Sequence, residues 1–311
     1  MIQAIKSQVA FAMKQKAAIL TFYLLLTLVL LNFTTNVFAF QGSDVIEMYH
    51  PAKMLVLSYN RIYYNADMTL LLVQLYPVIV VCPAGFTLIS EKNRKTDTLL
   101  IARMGSKKYY VSKVAASFIV TSLVFVIPTL IELVLNCISF PTAATGDFIN
   151  LNQYNPRYVE MVSHYTFAEL FKIDSYLYSV ISTLFFGVFS GILGMFTVAL
   201  SMILKVRYKI FLFLPVFVLL NISLYFSEII KGVPFSVRWF DYVYIFNDAE
   251  KSGAFFIVAV VMLMAVSFFC VFYKGRRDHL GAAKNLYHSS QWRCSAARCC
   301  HWLSLIRIMG K

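Results

Sequence analysis

Charged residues are scarce in this chain, and hydrophobic residues dominate it. Only 14% of the 311 residues are Asp, Glu, Lys or Arg, whereas 59% are hydrophobic, and the mean hydropathy is +0.70. An ordinary soluble domain carries about 25% charged residues. The composition therefore excludes that class and predicts a protein that crosses a membrane several times.

Sequence motifs for catalysis and nucleotide binding are missing as well. The fragment Met104-Gly105-Ser106-Lys107-Lys108 lacks the upstream glycine of a phosphate-binding loop. There is no His-Glu-x-x-His or Gly-x-Ser-x-Gly motif, and all five histidines lie outside the long apolar runs. We therefore expect no catalytic residue, no cofactor and no metal in this chain, and no enzymatic activity of its own.

The six cysteines do not form a pattern typical of disulfides or metal sites. Three lie in or beside apolar runs and three near the C-terminus: Cys82, Cys137, Cys270, Cys294, Cys299 and Cys300. Adjacent cysteines with His301, but without a second cysteine pair, make a poor zinc site. For the tail at 289–311 we favour no specific function, with lipid modification or surface contact as the alternatives.

Six apolar runs are long enough to cross a membrane as helices. A span needs about 20 apolar residues for a hydrocarbon core of ~30 Å, and its backbone polar groups must be bonded internally. We therefore predict an all-α, polytopic membrane protein with a transmembrane domain at 17–273. The predicted spans are 17–40, 68–90, 114–138, 176–203, 210–228 and 253–273.

Basic residues are distributed unequally between the connecting segments. The segments 1–16, 91–113, 204–209 and 274–311 hold 21 of the 28 Lys and Arg residues. Cytoplasmic segments carry such an excess, so both termini are predicted to be cytoplasmic, with 274–311 as a cytoplasmic tail. The excess of basic residues in the cytoplasmic segments accounts for the net charge of +13. The basic character therefore gives no reason to expect a nucleic-acid partner.

Residues 1–16 are predicted to form an amphipathic helix at the membrane interface. Its apolar residues share one face at helical spacing, and its glutamines and serine lie elsewhere. The apolar face comprises Ile2, Ile5, Val9, Ala12 and Met13, and the polar residues are Gln3, Ser7, Gln8 and Gln15. An unstructured basic leader that only sets the orientation is the alternative.

The segment 91–113 combines basic charge with a short apolar stretch. Its seven basic residues stand against only Glu91 and Asp97, and Thr98-Leu99-Leu100-Ile101-Ala102 predicts a short helix. A simple connection would need no apolar stretch. We interpret this loop as a surface at the cytoplasmic membrane face that contacts another molecule.

Glu132 is the one acidic residue deep in a predicted span. A charged group there costs a few kcal/mol, so it should face the bundle interior, pair or stay protonated. Glu132 is a candidate for a translocation path or gate. The alternative is a protonated glutamate that bonds to a neighbouring helix.

Two further patterns concern packing. Gly187, Gly191 and Gly194 form a small-residue face in the fourth span, which favours close packing within the bundle over a subunit interface. The segment 229–252 is dense in aromatic residues, and either re-entrant helices in the outer leaflet or an aromatic belt at two span ends would explain it.

Together these features resemble the membrane subunit of an ABC exporter of the type-2 permease family. Glu91 ends the second span, Thr96 to Arg103 falls where the family has a short cytoplasmic helix, and Gly105-Ser106-Lys107 begins the return to the third span. Lys113 then precedes that span. The segment 229–252 is similar to the family's re-entrant helices, and Tyr273-Lys274-Gly275-Arg276-Arg277-Asp278 is similar to its usual ending.

The resemblance implies a bacterial cytoplasmic membrane protein that has no ATPase activity itself. It would pair with a second permease chain, identical or different, and with separate ATPase subunits that bind ATP and Mg²⁺. The coupling helix would contact the ATPase through buried Thr98, Leu99, Leu100 and Ile101, rimmed by Arg94, Lys95 and Arg103. Lys95 departs from the glycine that many members have there.

Three other functions are consistent with parts of the pattern. A secondary transporter ordinarily shows several ionisable groups within its spans, and here only Glu132 is available. A membrane anchor or sensor could recruit a cytoplasmic protein through the same loop. A membrane enzyme is disfavoured by the missing catalytic residues. Neither the substrate nor the direction of transport follows from the sequence.

Overall fold

A computed structural model describes the greater part of the chain. The described residues are 1–45, 48–58, 66–94, 96–141, 162–204, 209–229, 234–247 and 249–277. Within these ranges the chain is predominantly helical and has no strand, although Ser58 and Ile245 form an isolated parallel bridge. The predicted all-α class is therefore confirmed. The tail that carries Cys294, Cys299, Cys300 and His301 lies outside the described residues.

The helices are numbered here in their order along the chain. They are α1 (Ile2–Met13), α2 (Lys16–Ala39), α3 (Ala66–Ile79), α4 (Cys82–Gly85), α5 (Thr87–Asn93), α6 (Thr96–Met104), α7 (Ser106–Ser139), α8 (Ala168–Ile173), α9 (Ser175–Ile203), α10 (Phe213–Ile229), α11 (Trp239–Val243) and α12 (Gly253–Arg277). Turns of 3₁₀-helix occupy Pro51–Met54 and Lys209–Leu212.

Five helical stretches are long and apolar enough to cross a membrane. They are Lys16–Ala39, Met68–Gly85, Ser106–Ser139, Ser175–Ile203 and Gly253–Arg277. The remaining predicted span, 210–228, corresponds to α10, which has only 17 residues. At 1.5 Å per residue it is about 25 Å long, less than the ~30 Å of a hydrocarbon core. The structure thus supports five spans and leaves the sixth as a proposal.

The second predicted span is a broken helix. It divides into α3, α4 and α5, with interruptions after Ile79 and Gly85. Pro77 lies inside α3 and Pro83 at the start of α4. Proline lacks the amide hydrogen that a helix needs and its ring crowds the preceding turn, so Pro83 explains the interruption after Ile79.

Helix α7 is longer than the predicted third span. It begins at Ser106 and not at residue 114, and its 34 residues extend over about 51 Å. The preceding Gly105 has a φ of +82°, a conformation that favours glycine and lets the chain turn sharply from α6 into α7. The predicted loop 91–113 is therefore largely helical.

Helices α7 and α9 form the centre of the bundle through the predicted glycine face. A Cβ added at Gly187 would lie 2.0 Å from Val126, at Gly191 2.1 Å from the Ser122 hydroxyl, and at Gly194 2.4 Å from the Thr121 hydroxyl. The backbones can approach this closely only because these side chains are absent. The interpretation of this face as internal packing is confirmed.

This contact yields a test with a matched control. Gly191→Ala should destabilise the protein by about 1–3 kcal/mol, because the new methyl group would also lie 2.9 Å from the carbonyl oxygen of Phe118. Gly253→Ala should have little effect, because the new methyl group would meet no other part of the described structure within 4 Å. Thermal unfolding in detergent measures both. Equal midpoints for the two variants would contradict the packing described.

Candidate functional sites

Helix α6 presents two different faces. Leu100, Ile101 and Met104 lie on its inward face, where they are partly buried against a core cluster that includes side chains of α4, α5, α7, α9 and α12. The outward face carries Leu99, which is 64% exposed, and Arg103. We call the end of the bundle with α6 the basic end, and the opposite end, with Pro51–Met54 and α11, the aromatic end.

The predicted partner contact divides between these two faces. Thr98 is exposed together with Leu99, whereas Leu100 and Ile101 contribute to the packing of the chain itself. Consecutive helical residues point in directions about 100° apart, so four in a row cannot share one contact. Of the predicted rim, Arg94 is exposed, and Lys95 lies outside the described residues.

Hydrogen bonds fix the two ends of α6. The Thr96 hydroxyl donates to the Glu91 carbonyl oxygen over 3.3 Å, and the Gly105 amide donates to the Ile101 carbonyl oxygen over 2.8 Å. Just beyond α6, the Ser106 hydroxyl donates to the Gly275 carbonyl oxygen of α12 over 3.2 Å. Helix α6 is therefore held between α5 and α7, beside the end of α12.

A buried ion pair lies directly behind α6. The Lys113 ammonium of α7 contacts a carboxylate oxygen of Glu91 in α5 over 2.7 Å, and the Tyr109 hydroxyl donates to the other oxygen. Lys113 also donates to the side-chain oxygen of Gln8 in α1 over 3.0 Å and lies 5.1 Å from the centre of the Phe11 ring. One ammonium group thus joins three helices.

This network explains how α1 is oriented. Ile5, Val9 and Ala12 of the predicted apolar face are wholly or partly buried, but Ile2 is exposed and Gln8 is 4% exposed. The prediction that Gln8 lies away from the buried face is wrong. The amide points inward because its oxygen satisfies the buried Lys113.

A double-mutant cycle tests the network. Lys113→Met should destabilise the protein by about 3–5 kcal/mol, because the Glu91 carboxylate would remain buried without its cation. Combining it with Glu91→Gln removes the unpaired charge, so the double variant should recover most of that loss. Thermal unfolding in detergent gives the values. Additive losses would show that the two residues do not act as a pair.

A second buried polar cluster surrounds Glu132 in α7. The side-chain amide of Asn32 in α2 donates to a carboxylate oxygen of Glu132 over 2.6 Å, and the Val56 backbone amide donates to the same oxygen over 2.9 Å. Asn32 and Asn36 both donate to the Met54 carbonyl oxygen, over 2.9 and 3.0 Å. The cluster therefore binds the loop around 51–58 to α2 and α7.

Some polar atoms of this cluster have no partner among the described residues. They are the second carboxylate oxygen of Glu132, the side-chain oxygen of Asn32 and both side-chain polar atoms of Asn136. All three side chains are fully buried. Unsatisfied groups of this kind are rare in proteins and often mark a bound water, an ion or a functional role.

The segment 51–58 is itself buried at the aromatic end. Ala52, Leu55, Val56 and Leu57 are at most 1% exposed. The preceding His50 accepts a hydrogen bond from the Ala52 amide at Nδ1 over 3.2 Å. Burial and the nearby Lys53 lower the pKa of His50, although Asp174 opposes the shift, which favours the neutral ring that can act as this acceptor.

The same end contains a cluster of aromatic rings. Trp239 of α11 stacks on Tyr76 of α3 with ring centres 4.6 Å apart, and the Tyr76 hydroxyl lies 2.8 Å from that of Ser190. Trp239 through Phe246 are buried, and the Ile245 amide donates to the Leu57 carbonyl oxygen. These aromatic residues fill the bundle end and do not form an outward-facing belt.

Glu132 can be tested by a pair of substitutions. Glu132→Gln keeps an oxygen that accepts from Asn32 and Val56, so the fold should change little. Glu132→Met removes the acceptor and leaves both donors buried, at a cost of about 1–3 kcal/mol for each. Thermal unfolding in detergent compares them. If Glu132→Gln lowers the unfolding temperature as much as Glu132→Met does, the charge of the carboxylate and not its acceptor oxygen holds the segment 51–58 in place.

Sequence reasoning identified Glu132 and missed its partners. Asn32 with Asn36, and Glu132 with Asn136, are each spaced by four residues within apolar runs, so each pair lies on one helical face. That spacing of polar residues in predicted spans was the available signal. Gln8 and Tyr109 carried no comparable signal, because polar residues are ordinary near span ends.

Comparisons of the chain with protein-family models, curated proteins and solved structures found no match. The resemblance to type-2 permeases therefore depends on the residues of this chain alone.

Proposed function

We propose that this chain is the membrane-spanning permease subunit of an ABC exporter. A separate ATPase subunit would hydrolyse ATP and drive translocation of a substrate through a pair of permease chains. The single observation that carries the proposal is α6, a short helix with an exposed apolar residue that is held between two segments of the membrane bundle. Such a helix can receive a push from a partner and transmit it as a rigid body.

The surroundings of α6 support this role. Its outward face combines Leu99 with Arg103, and Arg94 lies exposed nearby, an apolar centre with a basic rim as protein contacts commonly have. Behind it, the buried contact of Lys113 with Glu91 ties α7 to α5. Movement of α6 would therefore carry both adjoining helices with it.

The topology proposed for the chain follows from its charge. The basic end would face the cytoplasm with both termini, α1 would lie at the inner membrane interface, and α10 would complete six spans. The aromatic end would then lie in the outer leaflet, with α11 as a re-entrant helix between α10 and α12. Basic residues near α6 and α1 would contact anionic lipid headgroups.

Glu132 is proposed as a polar point on the translocation path. Its unpaired carboxylate oxygen and the unpaired side chain of Asn136 support this role, since a path for polar groups needs such atoms within the bundle. Its bonds to Asn32 and Val56 equally suit a structural role. Glu132→Gln, which keeps the acceptor oxygen, should preserve the fold but alter transport if the carboxyl group lines the path, and unchanged transport would leave only the structural role.

The other functions predict different behaviour of the purified chain. A secondary transporter would translocate its substrate without an ATPase. An anchor or sensor would recruit a cytoplasmic protein through α6 but would neither move a substrate nor bring an ATPase with it. Recovery of ATP hydrolysis with the chain separates these alternatives from the proposal.

The proposal can be tested with Leu99→Asp. The tagged chain is expressed with the neighbouring genes of its source, purified from membranes in mild detergent, and assayed for vanadate-sensitive ATP hydrolysis. A charge placed in a buried contact should cost about 2 kcal/mol or more, so recovery of the ATPase should fall roughly 30-fold. Mass spectrometry of the eluate identifies the subunit that carries a Walker A motif.

The matched control is Leu204→Asp. Leu204 is also an exposed leucine, but it follows the end of α9 and does not belong to α6. It should leave ATPase recovery unchanged, and both variants should elute as the unaltered chain does in size-exclusion chromatography. An unaltered chain that brings no ATP hydrolysis, or a Leu99→Asp variant that brings it in full, would refute the proposal.

A further inference from the structure

An apolar cavity lies between α9, α10, α11 and α12 toward the aromatic end of the bundle. Its volume is about 430 Å³, within the range of roughly 300–1,000 Å³ that small-molecule sites occupy. Its lining includes Phe189 and Phe196 of α9, Leu219 of α10 and Leu263 of α12. It is separate from α6 and from the Glu132 cluster, since no residue of either lines it.

The lining determines what the cavity can hold. Among the described residues, the lining includes no charged residue, and only Ser223, Trp239 and Tyr242 bring polar side-chain atoms to it. The Ser223 hydroxyl donates to the Leu220 carbonyl oxygen over 2.7 Å, and that of Tyr242 donates to the Ser236 carbonyl oxygen over 2.6 Å. Water would find few partners here, and cavities with such walls stay dry.

The cavity is open along one side of α12. Three of its lining residues on that helix, Phe255, Met262 and Val266, remain 38%, 60% and 38% exposed. Because α12 is long and apolar enough to cross a membrane, the medium that meets this opening is lipid hydrocarbon.

We infer that the cavity binds one acyl chain of a phospholipid from the leaflet at the aromatic end. An empty apolar space forfeits dispersion contacts with its walls, and a hydrocarbon chain entering from the adjoining lipid restores them without a desolvation cost. This inference depends on α12 facing lipid and is independent of the proposed transport function.

The wall also offers a group that suits the polar end of such a chain. Trp239 lines the cavity, is 5% exposed, and its indole N–H has no acceptor among the described residues. Buried donors in proteins are ordinarily paired. An ester oxygen of the lipid is an acceptor of the right kind.

Trp239 makes the inference testable by fluorescence. The other two tryptophans, Trp292 and Trp302, lie outside the described residues and are replaced by phenylalanine, so that Trp239 alone reports. The purified chain is reconstituted into phosphatidylcholine vesicles whose acyl chains are either brominated or not. Bromine quenches indole fluorescence on contact. Because Trp239 is shielded from bulk lipid, only an acyl chain inside the cavity can bring bromine to it. If the cavity holds such a chain, the brominated lipid should quench Trp239 strongly.

Two substitutions on different helices are designed to fill the cavity. Ala259→Phe on α12 and Ser223→Phe on α10 each place a ring in the space and should reduce the quenching severalfold. Ala265→Phe is the matched control, because Ala265 lies on the same helix, is exposed and does not line the cavity. It should leave the quenching unchanged. Size-exclusion elution checks that every variant is folded.

Two outcomes would overturn the inference. Weak quenching in the protein without the cavity-filling substitutions would mean that no acyl chain reaches Trp239. Native mass spectrometry would then show whether a second copy of the protein covers the cavity instead. Quenching that persists in both filled variants would place the lipid outside the cavity. Neither readout involves ATP or a partner subunit, so failure here leaves the transport proposal untouched, and the reverse also holds.

Discussion

The arrangement of the basic end depends on one buried ammonium group. Lys113 binds the Glu91 carboxylate and the Gln8 amide, and so fixes α5 and α1 against α7. A buried charge is stable only when it is paired, and removing one partner of such a pair costs more than the pair itself contributes. The pair therefore restricts which helices can lie here and at what angle. Helix α6, between α5 and α7, takes its position from that restriction.

Helix α7 carries the same principle to the opposite end of the bundle. Glu132 lies nineteen residues after Lys113, a distance along the helix of about 28 Å, close to the ~30 Å of a hydrocarbon core. One polar cluster thus lies toward each end of the bundle, with apolar packing between them. At the basic end the cluster holds α1, and at the aromatic end it holds the segment 51–58. Helix α7 runs between the two clusters without interruption, and Pro128 lies within it four residues before Glu132.

Features that depend on neighbouring residues were predicted from the sequence. Features that depend on contacts between segments far apart in the chain were not. Apolar length predicted α2, α9 and α12 closely, and the glycine spacing predicted the contact of α9 with α7. The start of α7 at Ser106 was missed, because the residues from 106 to 113 are polar enough to read as a loop. These residues belong to the helix and to the core because they are buried against α1 and α5.

The inward Gln8 and the buried segment 51–58 were missed for the same reason: each satisfies a partner far away in the chain. At α6 the existence of the helix was predicted, but its orientation follows from the core behind it.

Rigid and adaptable parts of the bundle can be distinguished from the same contacts. The α7–α9 contact is tightly packed at Gly187, Gly191 and Gly194, where an added Cβ would collide with side chains of α7. Packed interfaces of this kind switch between discrete arrangements or do not move at all. Helices α10 and α12 border a cavity instead and leave much of their apolar surface exposed. A push on α6 would therefore move α7 and α9 together. The space between α9, α10 and α12 would then change shape, because that is where the packing is incomplete.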